Sequence, residues 1–144
     1  MDVAVNFVYS TLPDSSNKNP VYDVESNLIG NIVLLEKALE KGVGKVVFVS
    51  SGGAIYGVPE IIPVPEDHKT EPLCSYGITK LAVEKYLYLF KNLHDLNYAV
   101  LRLGNPYGER QRVRGVQGAV AVFLGKIWNG SPIEIWGDGS VARD

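Results

Sequence analysis

Only one cysteine, Cys74, and two histidines, His68 and His94, occur among the 144 residues. A disulfide framework is therefore excluded, and so is a cysteine-based metal centre. Neither histidine has a second ligand at metal-binding spacing, so no metal is expected. Charge of one sign is scarce as well: the formal net charge is −2, the pI is 5.7, and acids and bases alternate along the chain. Without a basic stripe there is nothing to hold a phosphate backbone, which excludes a nucleic-acid partner. No apolar run approaches the ~20 residues of a membrane span. The opening "VAVNFVY" lacks a basic leader and a small-residue cleavage site, so it reads as a strand and not as a signal peptide. A reducing, cytoplasmic setting fits these absences. What is present is a 46% hydrophobic content, enough for one compact domain with a real core.

Along the chain, strand and helix signals alternate. Residues 3–9 form an apolar β-like run, followed by a turn-rich loop, "STLPDSSNKNP". A helix over 24–41 is predicted from Val24, Leu28, Ile32, Leu35 and Leu39, spaced by four and three and stopped at "KGVG". "KVVFVS" is apolar on both faces, as in a strand buried in a parallel sheet. A loop carrying Pro59, Pro63, Pro65 and Pro72 leads to a second helix over 76–92, then "YAVLRL" repeats the buried-strand pattern and "GNPYG" breaks it. A further helix over 117–129 and a short strand at "PIEIW" complete the pattern. This order predicts an α/β fold of right-handed βαβ units in a doubly wound, Rossmann-like parallel sheet. "PEDHKTE" reads as a solvated loop, and Trp128 and Trp136 as packing residues.

Ligands of such sheets sit at the carboxyl ends of the strands. Three stretches follow strands or open the next helix there: "SSGGAIYG", "SYGITK" and "GNPYG". Their convergence would place Ser51, Tyr76, Lys80 and Asn105 around one crevice. Tyr76 and Lys80, four apart on a helix, share a face. A phenol with a pKa near ~10 is a poor base at neutral pH, and an ammonium within reach lowers it by about 1–3 units. A helix N-terminus and a bound oxidised nicotinamide would add to that field. The spacing alone is a weak signal, because a chance Tyr-x-x-x-Lys is expected roughly 0.5 times at this composition. A surface tyrosine packed on a lysine stem would look the same.

The order of four motifs carries more weight. "FVSSGGAIYG", "YGITK", "LRLGNPYG" and "IWGDGSVARD" together resemble the extended short-chain dehydrogenase/reductase family, and within it the NAD-dependent epimerase/dehydratase group acting on nucleotide sugars. The resemblance implies NAD as cofactor and a nucleotide sugar, first of all a UDP-sugar, as substrate. It implies Tyr76 as catalytic base and Lys80 as the residue that lowers its pKa and binds the nicotinamide ribose. Asn27 and Ser50 match positions near the cofactor, and Asn105 and Arg143 match positions that contact the sugar nucleotide. Arg110, Arg112 and Arg114 in "GERQRVRG" are either diphosphate contacts or solvated charges. The family also pairs the two long helices in a four-helix homodimer contact, for which Leu81, Tyr88 and Leu89 are surplus apolar residues.

Three departures from the pattern bear on function. Counted back from Tyr56, the family's catalytic Ser/Thr falls on Gly52, so Ser51, one place earlier, is expected to serve as both catalytic and substrate-binding hydroxyl. Gly53 and Ala54 stand where sugar-nucleotide dehydratases carry Asp-Glu, which favours epimerisation, by transient oxidation and reduction of the sugar, over loss of water. The family's Gly-x-x-Gly-x-x-Gly turn, which holds a cofactor pyrophosphate at a helix N-terminus, has no match in these 144 residues. Residues 1–131 are accordingly expected to form the C-terminal part of an NAD-binding domain, and 132–144 the start of a substrate-binding region. The competing expectation is a non-catalytic nucleotide-binding remnant; among enzymes, it is a nucleotide-sugar dehydratase or reductase.

Overall fold

The computed structural model describes residues 2–111, 118–135 and 137–140, and these form parts of two compact units, Met1–Leu103 and Gly104–Asp144. Arg112, Arg114, Trp136 and Arg143 lie outside the described residues.

The first unit is built on three parallel strands in the order β1 (Val3–Asn6), β2 (Lys45–Ser51) and β3 (Asn97–Leu103). Val3 pairs with Lys45 across β1 and β2, and Lys45 with Asn97 across β2 and β3. Between β1 and β2 lie α1 (Pro13–Ser16), α2 (Pro20–Asp23), a π-helical stretch (Val24–Ile29) and α3 (Gly30–Glu40). Between β2 and β3 runs α4 (Ser75–His94). The strand and helix alternation read from the sequence is thus present, with parallel pairing throughout.

Both long helices pack on one face of the sheet. The core joins Leu35 and Ala38 of α3, Val46 and Phe48 of β2, and Val83, Leu87 and Phe90 of α4, with Leu96 closing the end. The expectation that β2 is apolar and buried on both faces is corrected here. Val46, Phe48 and Ser50 are buried, while Val47, Val49 and Ser51 are half-buried. On the neighbouring strands Val3 and Val5, and Leu101 and Leu103, are exposed by 39–53%. With α3 and α4 on one side only, alternate residues point away from the helices.

The first strand is also shorter than predicted, ending at Asn6, because Asn6 turns inward: its Nδ2 donates to Asn31 Oδ1 at 2.6 Å and its Oδ1 accepts from Val8 N at 2.9 Å. The loop "STLPDSSNKNP" contains α1, whose first residue is Pro13, a good first-turn residue because its missing N–H would be unpaired there anyway.

In the second unit α5 (Ala119–Trp128) is the predicted third helix. Two expectations fail there. Residues 131–135 form no strand, since alternation alone supplies no partner strand to pair with. Trp128 is not a packing residue but is 91% exposed, on a helix that buries none of its side chains.

Candidate active site

The first turn of α4 is anchored by the last residue of α1 and the residue that follows it. Its N-cap, Cys74, makes no capping bond of its own. Instead Ser75 N donates to Asn17 Oδ1 at 2.9 Å and Tyr76 N to Ser16 Oγ at 3.0 Å, satisfying two of the donors that a helix start leaves free. Gly77 has no room for a side chain: a Cβ there would lie 2.4 Å from Ala54 O and 2.8 Å from Pro72 Cβ. The helix start is therefore pressed against the segment that follows β2, which sets Tyr76 at the carboxyl end of the sheet.

Beneath this turn lies Asp23, whose carboxylate is fully buried. It accepts from Thr11 Oγ1, from Asn27 Nδ2 at 2.9 Å, from Ser75 Oγ at 2.7 Å and from Thr79 Oγ1 at 3.0 Å. Burial pushes its pKa up, but the four hydrogen bonds together outweigh it and hold the carboxyl below its usual range. Asn27 is drawn into the same knot. Its Oδ1 accepts from Ser10 N at 2.8 Å, and its Nδ2 also donates to Thr11 Oγ1 at 3.0 Å. Its amide thus ties down the loop after β1.

One turn beyond Tyr76, Lys80 is 4% exposed, and its Nζ donates to Val49 O at 2.6 Å. Aromatic rings form the rest of its surroundings: the ammonium lies 3.8 Å from the ring centre of Tyr9, 4.8 Å from Phe48 and 5.6 Å from Tyr76. Burial lowers its pKa to about 8, partly offset by the negative charge of Glu84. Tyr9 meets Tyr76 edge-on at 5.1 Å and donates its hydroxyl to Thr79 Oγ1 at 2.6 Å. Burial pushes the Tyr9 phenol well above its usual value.

Ser51, at the end of β2, sits beside Tyr76 and tends to lower its pKa by hydrogen bonding. The net shift of Tyr76 is nevertheless upward, from burial first, with its neighbours Cys74 and Asp23 adding to it. In this arrangement the Lys80 ammonium is engaged with Val49 O and the rings, 5.6 Å from the centre of the Tyr76 ring.

Ser50 is buried, and its hydroxyl donates to Glu84 Oε1. Glu84 also receives Arg102 Nη2 at 2.8 Å, while Arg102 Nη1 donates to Tyr56 Oη at 2.8 Å and to Glu66 O at 2.7 Å. This network ties α4 to both flanking strands and to the proline-rich loop. Next to it, Gly52 N donates to Leu103 O at 2.6 Å, and a Cβ at Gly52 would lie 3.0 Å from Arg102 O.

Ser51, Tyr76 and Lys80 are therefore together, with Ser50 and Asn27 adjacent but engaged inside the protein. Asn105 and Arg110 lie in the second unit, both exposed. Sequence reasoning missed Tyr9, Asp23, Thr79, Glu84 and Arg102. Helical spacing offered a signal for two of them, because Asp23 stands four before Asn27 and Glu84 four after Lys80. Among the described residues, no helix is long and apolar enough to cross a membrane.

A parallel α/β sheet with the Tyr76 helix starting at its carboxyl edge is a Rossmann-like arrangement. The model of the NAD dependent epimerase/dehydratase family matches residues 1–144, and the chain belongs to that family. A Methanocaldococcus jannaschii protein provisionally named UDP-glucose 4-epimerase is 45% identical over 131 residues, covering 90% of this chain and 43% of the relative. The dTDP-4-dehydro-6-deoxyglucose reductase of Escherichia coli is 38% identical over 141 residues, covering 97% and 44%. Among solved structures, the Thermotoga maritima UDP-glucose 4-epimerase with UDP-glucose matches with a TM-score of 0.95 at 39% identity, over 99% of this chain and 47% of that one. The Thermus thermophilus UDP-glucose 4-epimerase in complex with NAD matches with a TM-score of 0.88 at 36% identity, over 99% and 48%. The fold is Rossmann-like, the family's cofactor is NAD, and the chain spans less than half the length of these relatives.

Proposed function

We propose that this chain is the catalytic part of an NAD-dependent nucleotide-sugar epimerase that acts on a UDP-sugar by transient oxidation and reduction. The observation that carries this reading is the meeting of Ser51, Tyr76 and Lys80 where β2 ends and α4 begins. A phenol, a hydroxyl and an ammonium suit the nicotinamide ribose and a sugar carbinol. NAD, when bound, supplies the acceptor and donor of hydride. Tyr76 takes the proton of the sugar hydroxyl and returns it, and Ser51 orients that hydroxyl by hydrogen bonding. Lys80 holds the ribose diol and, brought close to the phenol, supplies the positive charge that lowers its pKa. Asn27 and Ser50 support the cofactor through the loop and strand they hold. Asn105 and Arg143, whose motifs match the family's, are assigned to the sugar nucleotide. Residues 1–131 belong to the NAD-binding domain, 132–144 open the substrate region, and the enzyme works in the cytoplasm as a homodimer.

The similarity to the E. coli reductase over 97% of this chain favours one competing reading, reduction of a keto-sugar nucleotide by the same residues. Assay of the full-length protein with UDP-glucose separates the two, because an epimerase returns the 4-epimer without net oxidation. In that assay Tyr76→Phe abolishes turnover and leaves NAD affinity within about threefold, since it removes the proton acceptor and little contact area. Turnover within about tenfold of the wild type would place the base elsewhere.

A further inference from the structure

We propose that Tyr9 is a movable aromatic cap on Lys80, seated where a ribose diol must lie to be bound by the ammonium, so that cofactor binding requires the Tyr9 side chain to swing aside. The inference rests on the reading of Lys80 as a ribose-binding residue, and deepens it. A ribose oxygen must come within about 2.7–3.2 Å of Nζ to accept a hydrogen bond. The space around Nζ is already divided among Val49 O at 2.6 Å and the rings of Tyr9, Phe48 and Tyr76. Of these neighbours Tyr9 is the nearest ring. Val49 and Phe48 belong to the central strand, with Phe48 2% exposed, and Tyr76 sits on the long helix. Only Tyr9 comes from a loop, the one that leaves β1 at the carboxyl edge of the sheet, and it is half-buried over an ammonium that is nearly sealed.

The moving part is the side chain. On either side of Tyr9 the backbone is held, by Val8 N on Asn6 Oδ1 and by Ser10 N on Asn27 Oδ1. The ring itself is held by one hydroxyl bond to Thr79, one edge contact with Tyr76 and its packing against the edge of the core. A side-chain rotation gives up these contacts and leaves the backbone in place. The same movement frees Lys80 from its strongest cation–ring contact and releases the face of Tyr76 that Tyr9 covers.

Lysine reactivity tests this on the chain itself. Under limiting dimethylation, each lysine's labelling is read by peptide mass spectrometry, with the exposed Lys85 of the same helix as reference. Tyr9→Ala raises the labelling of Lys80 relative to Lys85 by at least about fivefold, whereas Tyr9→Phe, which keeps the ring, stays within about twofold of the wild type. An unchanged ratio in Tyr9→Ala, or equal increases in both variants, overturns the cap. Nicotinamide mononucleotide at millimolar concentration then protects Lys80 more strongly in Tyr9→Ala than in the wild type; equal protection of both overturns the competition for one place. Should the mononucleotide protect neither although Tyr9→Ala has opened Lys80, the cap stands and the ribose-binding reading of Lys80 falls. A measurement on the wild type avoids any folding defect of the variants. Ring currents hold the Lys80 ε-methylene protons upfield, and saturating mononucleotide moves them downfield, whereas protons that keep their shift while the nicotinamide signals broaden on binding overturn the proposal.

Discussion

Lys80 is the residue on which the chemistry and the stability of the site meet. Its ammonium is enclosed by three rings and one carbonyl, with a pKa lowered to about 8 by burial, against ~10.5 in an unfolded chain. Between those values the unfolded chain holds a proton that the native protein has released. Stability therefore rises as pH increases from about 8, and is lost again as pH falls back through 8. The raised phenols of Tyr9 and Tyr76 act in the opposite sense above about pH 10, where unfolded tyrosines ionise first, so the clean window is roughly pH 8–9.5. Urea midpoints across that window climb in the wild type and not in Lys80→Met; parallel slopes would show that the ammonium is solvated. Tyr76, Lys80 and Ser51 were legible in the sequence because they lie in short motifs of fixed spacing. Tyr9 was not, since its hydroxyl bond to Thr79 spans 70 residues and "VAVNFVY" gives no sign that the chain turns after Asn6.

At the scale of elements, the knot around Asp23 joins the loop after β1, the α2 to α3 helical run and the start of α4. Its carboxylate satisfies four donors, with no cationic partner among the described residues, in a position where the N-terminal end of α4 favours negative charge. Asp23→Ala leaves those donors facing a cavity and is expected to cost about 3 kcal/mol. The urea midpoint measures this, and a loss below about 0.5 kcal/mol would mean that the hydroxyls re-pair among themselves. β2, β3 and α4 were legible because their apolar patterns match the packing of one sheet face. Of the helical run before α3, the part from Val24 was legible and α2 was not, since α2 starts at Pro20, at the end of a stretch whose Ser, Asn and Pro content reads as turn. The strand expected at "PIEIW" fails for the complementary reason: pattern identifies a face, and a strand also needs a neighbour.

The whole molecule presents large apolar side chains on the outer sides of its helices, among them Ile29 at 49%, Val33 at 46%, Tyr88 at 61% and Leu89 at 43% exposure. A two-fold pairing of α3 and α4 would cover them. The full-length protein is accordingly expected to be a dimer by light scattering at micromolar concentration, and a monomer there would remove the basis for a four-helix contact. On the proposed reading, residues 1–144 carry the nicotinamide end of the site, with Ser51, Tyr76 and Lys80, and not the glycine turn that grips a pyrophosphate. Calorimetric titration of the chain with NAD is expected to give a dissociation constant weaker than about 100 μM, because the remaining contacts fall short of about −5.5 kcal/mol. A constant tighter than that would show that these residues hold the whole cofactor and would overturn this division of the site.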